Sequence, residues 1–154
     1  MDEYLMPVEV EDGLVVDMPC VETTHGLLAF TKSRYPNDHL ALMAYEVEED
    51  PSGRMCLVEP WADISINIPH ALLWPSDICL NGDVPRNLME ELCDTPLFSR
   101  TGLSVRENMG FYPIVHVDAL DLVPDEEDIR QLLEEVQAPD QSERRKESSP
   151  RRSL

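Results

Sequence analysis

Asp63-Ile64-Ser65-Ile66-Asn67-Ile68 alternates isoleucine with a small or polar residue at every second position. Successive side chains of a strand point to opposite faces, so this period of two predicts a strand with one apolar and one polar face, ended by Pro69, which has no N–H for a ladder. Working outward, Asp50-Pro51-Ser52-Gly53 supplies a turn into an apolar run at residues 55–58. Residues 27–32 and 40–47 predict two further strands about Tyr35-Pro36-Asn37-Asp38, where proline fixes φ and Asn or Asp tolerates the bend, as in a hairpin. Gly13 is the turn residue before a short strand at Leu14-Val15-Val16. Downstream, residues 102–107 and 112–117, parted by Asn108-Met109-Gly110, predict a second hairpin.

Two helices complete the pattern. Residues 85–93 carry Leu88, Met89, Leu92 and Cys93 on one face behind Pro85. Pro124 opens a longer segment whose first turn, Asp125-Glu126-Glu127-Asp128, complements the helix dipole, and whose Ile129, Leu132, Leu133 and Val136 make a single apolar stripe. Hairpins followed by isolated helices predict an α+β fold: an antiparallel sheet of about five or six strands with the short helix and the C-terminal helix packed on it. The expected core is Leu28, Phe30, Leu40, Leu42, Ile64, Ile66, Ile68, Leu88, Leu92, Ile114, Val115 and Val117. Residues 1–137 form one acidic domain, with residues 1–12 as a candidate flexible segment. Residues 138–154, poor in apolar side chains and rich in Ser, Arg, Glu and Pro, are expected to be a disordered basic tail.

Charge is the strongest statement about partners. The chain has 31 Asp and Glu against 12 Lys and Arg. Five of the twelve (Arg144, Arg145, Lys146, Arg151, Arg152) fall in the tail, which leaves residues 1–138 with 28 acidic and 7 basic side chains. Such a body repels nucleic acid and anionic lipid and attracts basic protein surfaces. No apolar run approaches a membrane span and the N-terminus lacks the features of a signal peptide, so a cytoplasmic protein is the expectation.

Chemical motifs are sparse. Cys20, Cys56, Cys79 and Cys93 show no C-x-x-C spacing and read as buried free thiols. Of His25, His39, His70 and His116, His39 lies in a predicted turn, His70 follows a strand-ending proline, and His116, within an apolar strand, makes with Asp118 the nearest approach to a ligand pair. A satisfied core or edge histidine is the commoner case. No phosphate-cradling glycine loop or nucleophile elbow is present in the sequence, and no metal or organic cofactor is expected. Trp61 and Trp74 bracket the alternating strand and read as caps on its core, an interface role being the other reading.

A pattern remains that carries a resemblance. Ser33-Arg34-Tyr35 and the turn before Leu40-Ala41-Leu42 are followed by Ile64, Ile66, Asn67 and Ile68 and by an apolar strand at Ile78-Cys79-Leu80. Then come the helix through Leu88 and Leu92, Thr101-Gly102, and Gly110 with Pro113-Ile114-Val115. Across about residues 30–118 this resembles the family called domain of unknown function 4313, small proteins of plasmids, conjugative elements and phages of gut bacteria. Asn81 stands where that family usually has lysine. The resemblance implies a mobile-element accessory protein with a compact α+β domain, and it implies no activity or site residues.

Together these features predict a binding protein and not an enzyme: an acidic, DNA-mimic-like inhibitor or regulator of a nucleic-acid-binding defence or host protein. Its expected partner is a protein with a basic surface, and nucleic acid and membrane are not expected partners. The contact candidates are Glu9, Glu11, Asp12, Asp17, Asp125, Glu126, Glu127, Asp128, Glu134 and Glu135. The alternatives are a protein-protein interaction module using the C-terminal amphipathic helix and, third, a small enzyme. Because Leu154 is the only large apolar side chain within residues 141–154, deleting those residues is expected to leave the melting temperature nearly unchanged in a calorimetric scan.

Overall fold

A computed structural model of the protein describes residues 1–137; the tail expected over residues 138–154 lies outside the described residues. In chain order the described elements are β1 (Leu5–Glu11), β2 (Leu14–Thr23), β3 (Gly26–Arg34), β4 (Leu40–Glu49), β5 (Met55–Asp63), β6 (Ser65–Ile66), β7 (Asp77–Leu80), α1 (Leu88–Cys93), β8 (Phe98–Glu107), β9 (Gly110–Val117) and α2 (Glu126–Gln137). Two 3-10 turns occur at Asp2–Tyr4 and Leu120–Leu122. The class is α+β, mostly strands with one short and one C-terminal helix, as the sequence predicts.

The sheet differs from the expected single antiparallel one. β1 to β5 close into a barrel, and a second sheet has the order β6-β7-β9-β8. Consecutive barrel strands pair antiparallel, and closure comes from a parallel register of β1 on β5 at Glu9 and Cys56. Arg54 Nη1 reaches Glu9 Oε1 across this seam at 2.7 Å. Register shifts within β1/β2 and β4/β5 mark bulges, which raise local twist and let so few strands curl onto themselves.

Within residues 1–12, the candidate flexible segment, Asp2–Tyr4 make a 3-10 turn and Leu5–Glu11 make β1. Asp12 (φ +52°) and Gly13 (φ +81°) make a two-residue hairpin turn that needs positive φ at both positions, a demand aspartate tolerates and glycine meets freely. Met6, Val8 and Val10 then pack into the cluster that holds Met18, Cys20, Ala29 and Val47.

The stretch that predicted a single alternating strand is instead the crossover between the two sheets. β5 ends at Asp63, Ile64 and Ser65 are both buried, and β6 begins at Ser65. Ile64 enters the main core, whereas Ile66 and Ile68 pack on a separate cluster with Ala71, Cys79, Val105 and Ile114. The isoleucines therefore serve two cores. At the junction Ile64 N–H donates to Leu42 O (2.9 Å) and Asn81 N–H to Ile64 O (2.8 Å). Ser65 Oγ accepts the Leu42 N–H (3.0 Å) and shares a hydrogen bond with the Tyr35 hydroxyl (2.9 Å).

β3 and β4 are covered on both sides. Leu28, Phe30, Leu40, Leu42 and Ala44 face the second sheet and α1, meeting Ile78, Leu88, Leu92, Phe98, Val115 and Val117, while Ala29 and Val47 face the barrel cluster. Hence the unbroken apolar run at the start of β3, where a half-exposed strand would alternate. All twelve expected core residues are buried except Ile66, which is half-buried.

Replacing Ser65 with alanine leaves the buried Leu42 N–H without its acceptor, a loss on the order of 1–3 kcal/mol. Urea unfolding of Ser65→Ala is expected to show a fall in that range, with Tyr35→Phe losing less because the Leu42 bond survives.

Candidate functional site

Val10 and Glu11 of β1, Thr31 of β3, Tyr45 of β4 and Leu57 of β5 converge at one end of the barrel, where α2 lies over them with Glu126, Ile129, Arg130 and Leu133. Between helix and strands is a cleft of about 260 Å³. Its lining is apolar at Val10, Leu57, Ile129 and Leu133 and charged at Glu11, Glu126 and Arg130.

α2 is anchored at its start. Lys32 N–H donates to Pro124 O (2.9 Å), Lys32 Nζ to Leu120 O (2.9 Å), and Glu127 N–H to Asp125 Oδ1 (2.8 Å), the last satisfying a first-turn donor. Inside the cleft Thr31 Oγ1 donates to Glu126 Oε2 at 2.6 Å. Burial, followed by the charge of Glu126, holds the Tyr45 phenol above its ordinary value. Beyond this anchorage the stripe is only partly covered: Ile129 and Leu133 are half-buried, while Leu132 and Val136 remain 41% and 37% exposed.

The acids named from sequence do not form one cluster. Glu11 and Glu126 line the cleft, and Asp125, Glu127 and Asp128 sit in or beside the first turn of α2. Glu9 is paired with Arg54, Glu127 contacts Arg130, and Asp12 has its place in the β1–β2 turn. Asp17 lies on β2 opposite Pro7, and Glu134 and Glu135 are exposed further along α2. Sequence reasoning missed Thr31, Tyr45 and Leu57. Each comes from a different strand; antiparallel pairing of β3, β4 and β5 sets them side by side, barrel closure adds Val10 and Glu11 of β1, and α2 docks over them.

His116 and Asp118 do approach, with Nε2 and Oδ1 3.6 Å apart. Nδ1 of the same ring donates to Oδ1 of the buried Asp77 (2.8 Å), and Ser99 Oγ donates to Asp118 Oδ2. The two carboxylates occupy opposite ring nitrogens, so they cannot converge on one ion. Register puts Asp77 and Ser99 on either side of His116, and the group ties β7, β9 and β8 together. Similarly His25 packs on Trp61 (ring centroids 5.7 Å) and donates to Asn87 Oδ1 (3.0 Å), while Glu91 accepts Thr24 N–H (2.7 Å), pinning α1 to the β2–β3 turn. Among the described residues, no group of three or more His, Cys, Asp or Glu is placed to hold a metal ion. No helix among them is long and apolar enough to cross a membrane.

Trp61 is half-buried against the main core, as a cap should be; Trp74 is 78% exposed, contrary to the same expectation. Ala71 and Leu73 of the same loop take the inward places, packing on the cluster of Ile68, Cys79, Val105 and Ile114. The thiols are all free, but only Cys20 and Cys79 are buried, Cys56 and Cys93 lying half-exposed at strand and helix ends.

No protein-family model matches the chain, and no curated protein or solved structure matches it either.

Burial pushes the Cys20 thiol up to about 12, which leaves almost no thiolate, the reactive form, at mildly alkaline pH. Iodoacetamide labelling read by peptide mass spectrometry is expected to modify Cys56 and Cys93 well before Cys20 and Cys79.

Proposed function

We propose that the protein acts by binding a basic surface of another protein through the half of the molecule made by the barrel and α2, in the manner of a DNA mimic. One observation supports this reading above the others. Residues 1–63 and 125–137 hold 20 acidic side chains and four basic ones, whereas residues 64–124 hold eight and three. The four cations of the acidic half are already engaged. Lys32 holds Leu120 O, Arg34 Nη1 donates to Pro75 O at 3.1 Å, Arg54 pairs with Glu9, and Arg130 contacts Glu127. Two of the carboxylates, Glu11 and Glu126, line the cleft beside Val10, Leu57, Ile129 and Leu133, a combination suited to a basic segment that brings an apolar side chain with it. The resemblance to mobile-element proteins suggests targets in nucleic-acid-binding defence complexes or in host transcription proteins.

The second reading, an interaction module working through α2, draws on the exposed Leu132 and Val136. Affinity capture from host lysate at low salt, followed by competition with duplex DNA, separates the two. The mimic reading expects a partner with a basic surface that duplex DNA displaces, and an affinity that falls by at least about tenfold between 50 and 200 mM salt. Binding that resists both DNA and salt, and that Leu132→Asp abolishes, would assign the function to the helix face instead.

A further inference from the structure

α2 carries more acid than its own dipole favours. Glu126, Glu127 and Asp128 suit the positive end of the helix, whereas Glu134 and Glu135, both exposed, stand at the negative end, where the last turn holds no base. Five carboxylates on these twelve residues meet one cation, Arg130, which is engaged by Glu127. The cleft beneath the helix adds Glu11, beside Tyr45 and the apolar Val10, Leu57, Ile129 and Leu133. Long basic side chains fit such a lining, because their methylene stems lie on apolar surface while the charged head reaches a carboxylate. The next cations along the chain are close by. Residues 138–154 hold Arg144, Arg145, Lys146, Arg151 and Arg152 against Asp140, Glu143 and Glu147. An extended chain spans about 3.3–3.6 Å per residue, so the steps from Gln137 to Arg144 cover up to about 25 Å. A helix rises about 1.5 Å per residue, which puts Glu126 about 17 Å back along α2 from Gln137. The reach therefore exceeds the distance to the cleft.

We propose that the chain's own basic segment, Arg144-Arg145-Lys146, returns along α2 and occupies the cleft between α2 and the barrel, in competition with a basic partner. Its charged heads meet Glu134 and Glu135 on the way and Glu126 and Glu11 at the cleft, and one stem lies on Val10, Leu57 and Leu133. Charge complementarity selects this occupant over any other part of the chain. The segment joins three of the twelve bases in consecutive positions, and its tether holds it at about millimolar local concentration beside the acids. This contact rests on the reading above, that the acidic half accepts basic segments, and adds its regulation: a partner gains the cleft by displacing the segment. Exposed ion pairs are individually weak, so the contact adds little to the melting temperature, and salt releases it.

Carbodiimide cross-linking of the full chain, read by peptide mass spectrometry, tests the contact, since Lys32 and Lys146 are the only lysines. The expected amide joins Lys146 to Glu11 or Glu126, at a yield independent of protein concentration, in about 20 mM salt and not in about 0.5 M. Links of Lys146 confined to Glu143, Glu147 or the last turn of α2 overturn the proposal. A fluorescein-labelled peptide of residues 138–154 then serves as the basic probe, its binding followed by anisotropy in about 20 mM salt. Full-length Arg144→Gln/Arg145→Gln/Lys146→Gln is expected to bind the peptide at least about threefold more tightly than full-length Arg86→Gln/Arg100→Gln/Arg106→Gln. The second variant has the same net charge, lost from exposed arginines of the other half. Equal affinities overturn the proposal and leave the basic-partner reading standing. Failure of both variants to bind the peptide overturns both.

Discussion

The two sheets are one body because of what happens to the backbone at Ile64 and Ser65. Where β5 leaves the barrel, Leu42 of β4 would face a missing neighbour with a buried N–H and C=O. Ile64 N–H takes the carbonyl and Ser65 Oγ takes the N–H, so the serine side chain replaces a strand's main chain at the one place where the ladder changes sheets. Asn81 fastens the other side, its N–H on Ile64 O and its side-chain amide on Asp63 O at 3.0 Å. With the junction satisfied, β3 and β4 can be buried on both faces, and the Phe30 ring meets Phe98 of the second sheet edge-on with centroids 5.3 Å apart. The closed barrel and the second sheet thus share a core that neither could complete alone.

The same junction explains what was legible in the sequence. The isoleucine period marks burial correctly at Ile64 and Ile68, because buried positions must be apolar whichever core receives them. It cannot say that Ile64 and Ile68 enter different cores, since a change of sheet requires a turn in the backbone and no change of residue type. Hairpin strands and both helices follow from local chemistry and lie close to their predicted positions. Barrel closure does not, for it depends on bulges and on a parallel contact between the first and fifth strands. The cleft under α2 was illegible because no residue type announces where the helix docks: β3–β4–β5 pairing sets Thr31, Tyr45 and Leu57 side by side, closure adds Val10 and Glu11, and Glu126 meets them only once α2 packs over these strands. Trp74 was misjudged because proline-flanked tryptophans look alike on paper, and only the inward packing of Ala71 and Leu73 reveals which way the loop faces.

The molecule is chemically two-sided. Its barrel and α2 present carboxylates with few cations among them, and its 64–76 segment presents leucine and tryptophan with no charge at all. Salt screens the repulsion among the carboxylates of the first side and finds no comparable charge to screen on the second.

Glu9 and Cys56, which close the barrel, are 47 positions apart in the chain. During synthesis β1 to β4 leave the ribosome before β5 exists, and bringing such distant ends together costs more chain entropy than forming any of the hairpins between them. For that interval β1 is an open strand edge of a nascent chain, the kind of edge on which polypeptides join and aggregate. Pro7, which offers no N–H, and the carboxylates of Glu9 and Glu11 make that edge a poor template for another strand. The acidity of the first strand therefore bears on folding as well as on solubility: it guards the seam until the fifth strand arrives to close it.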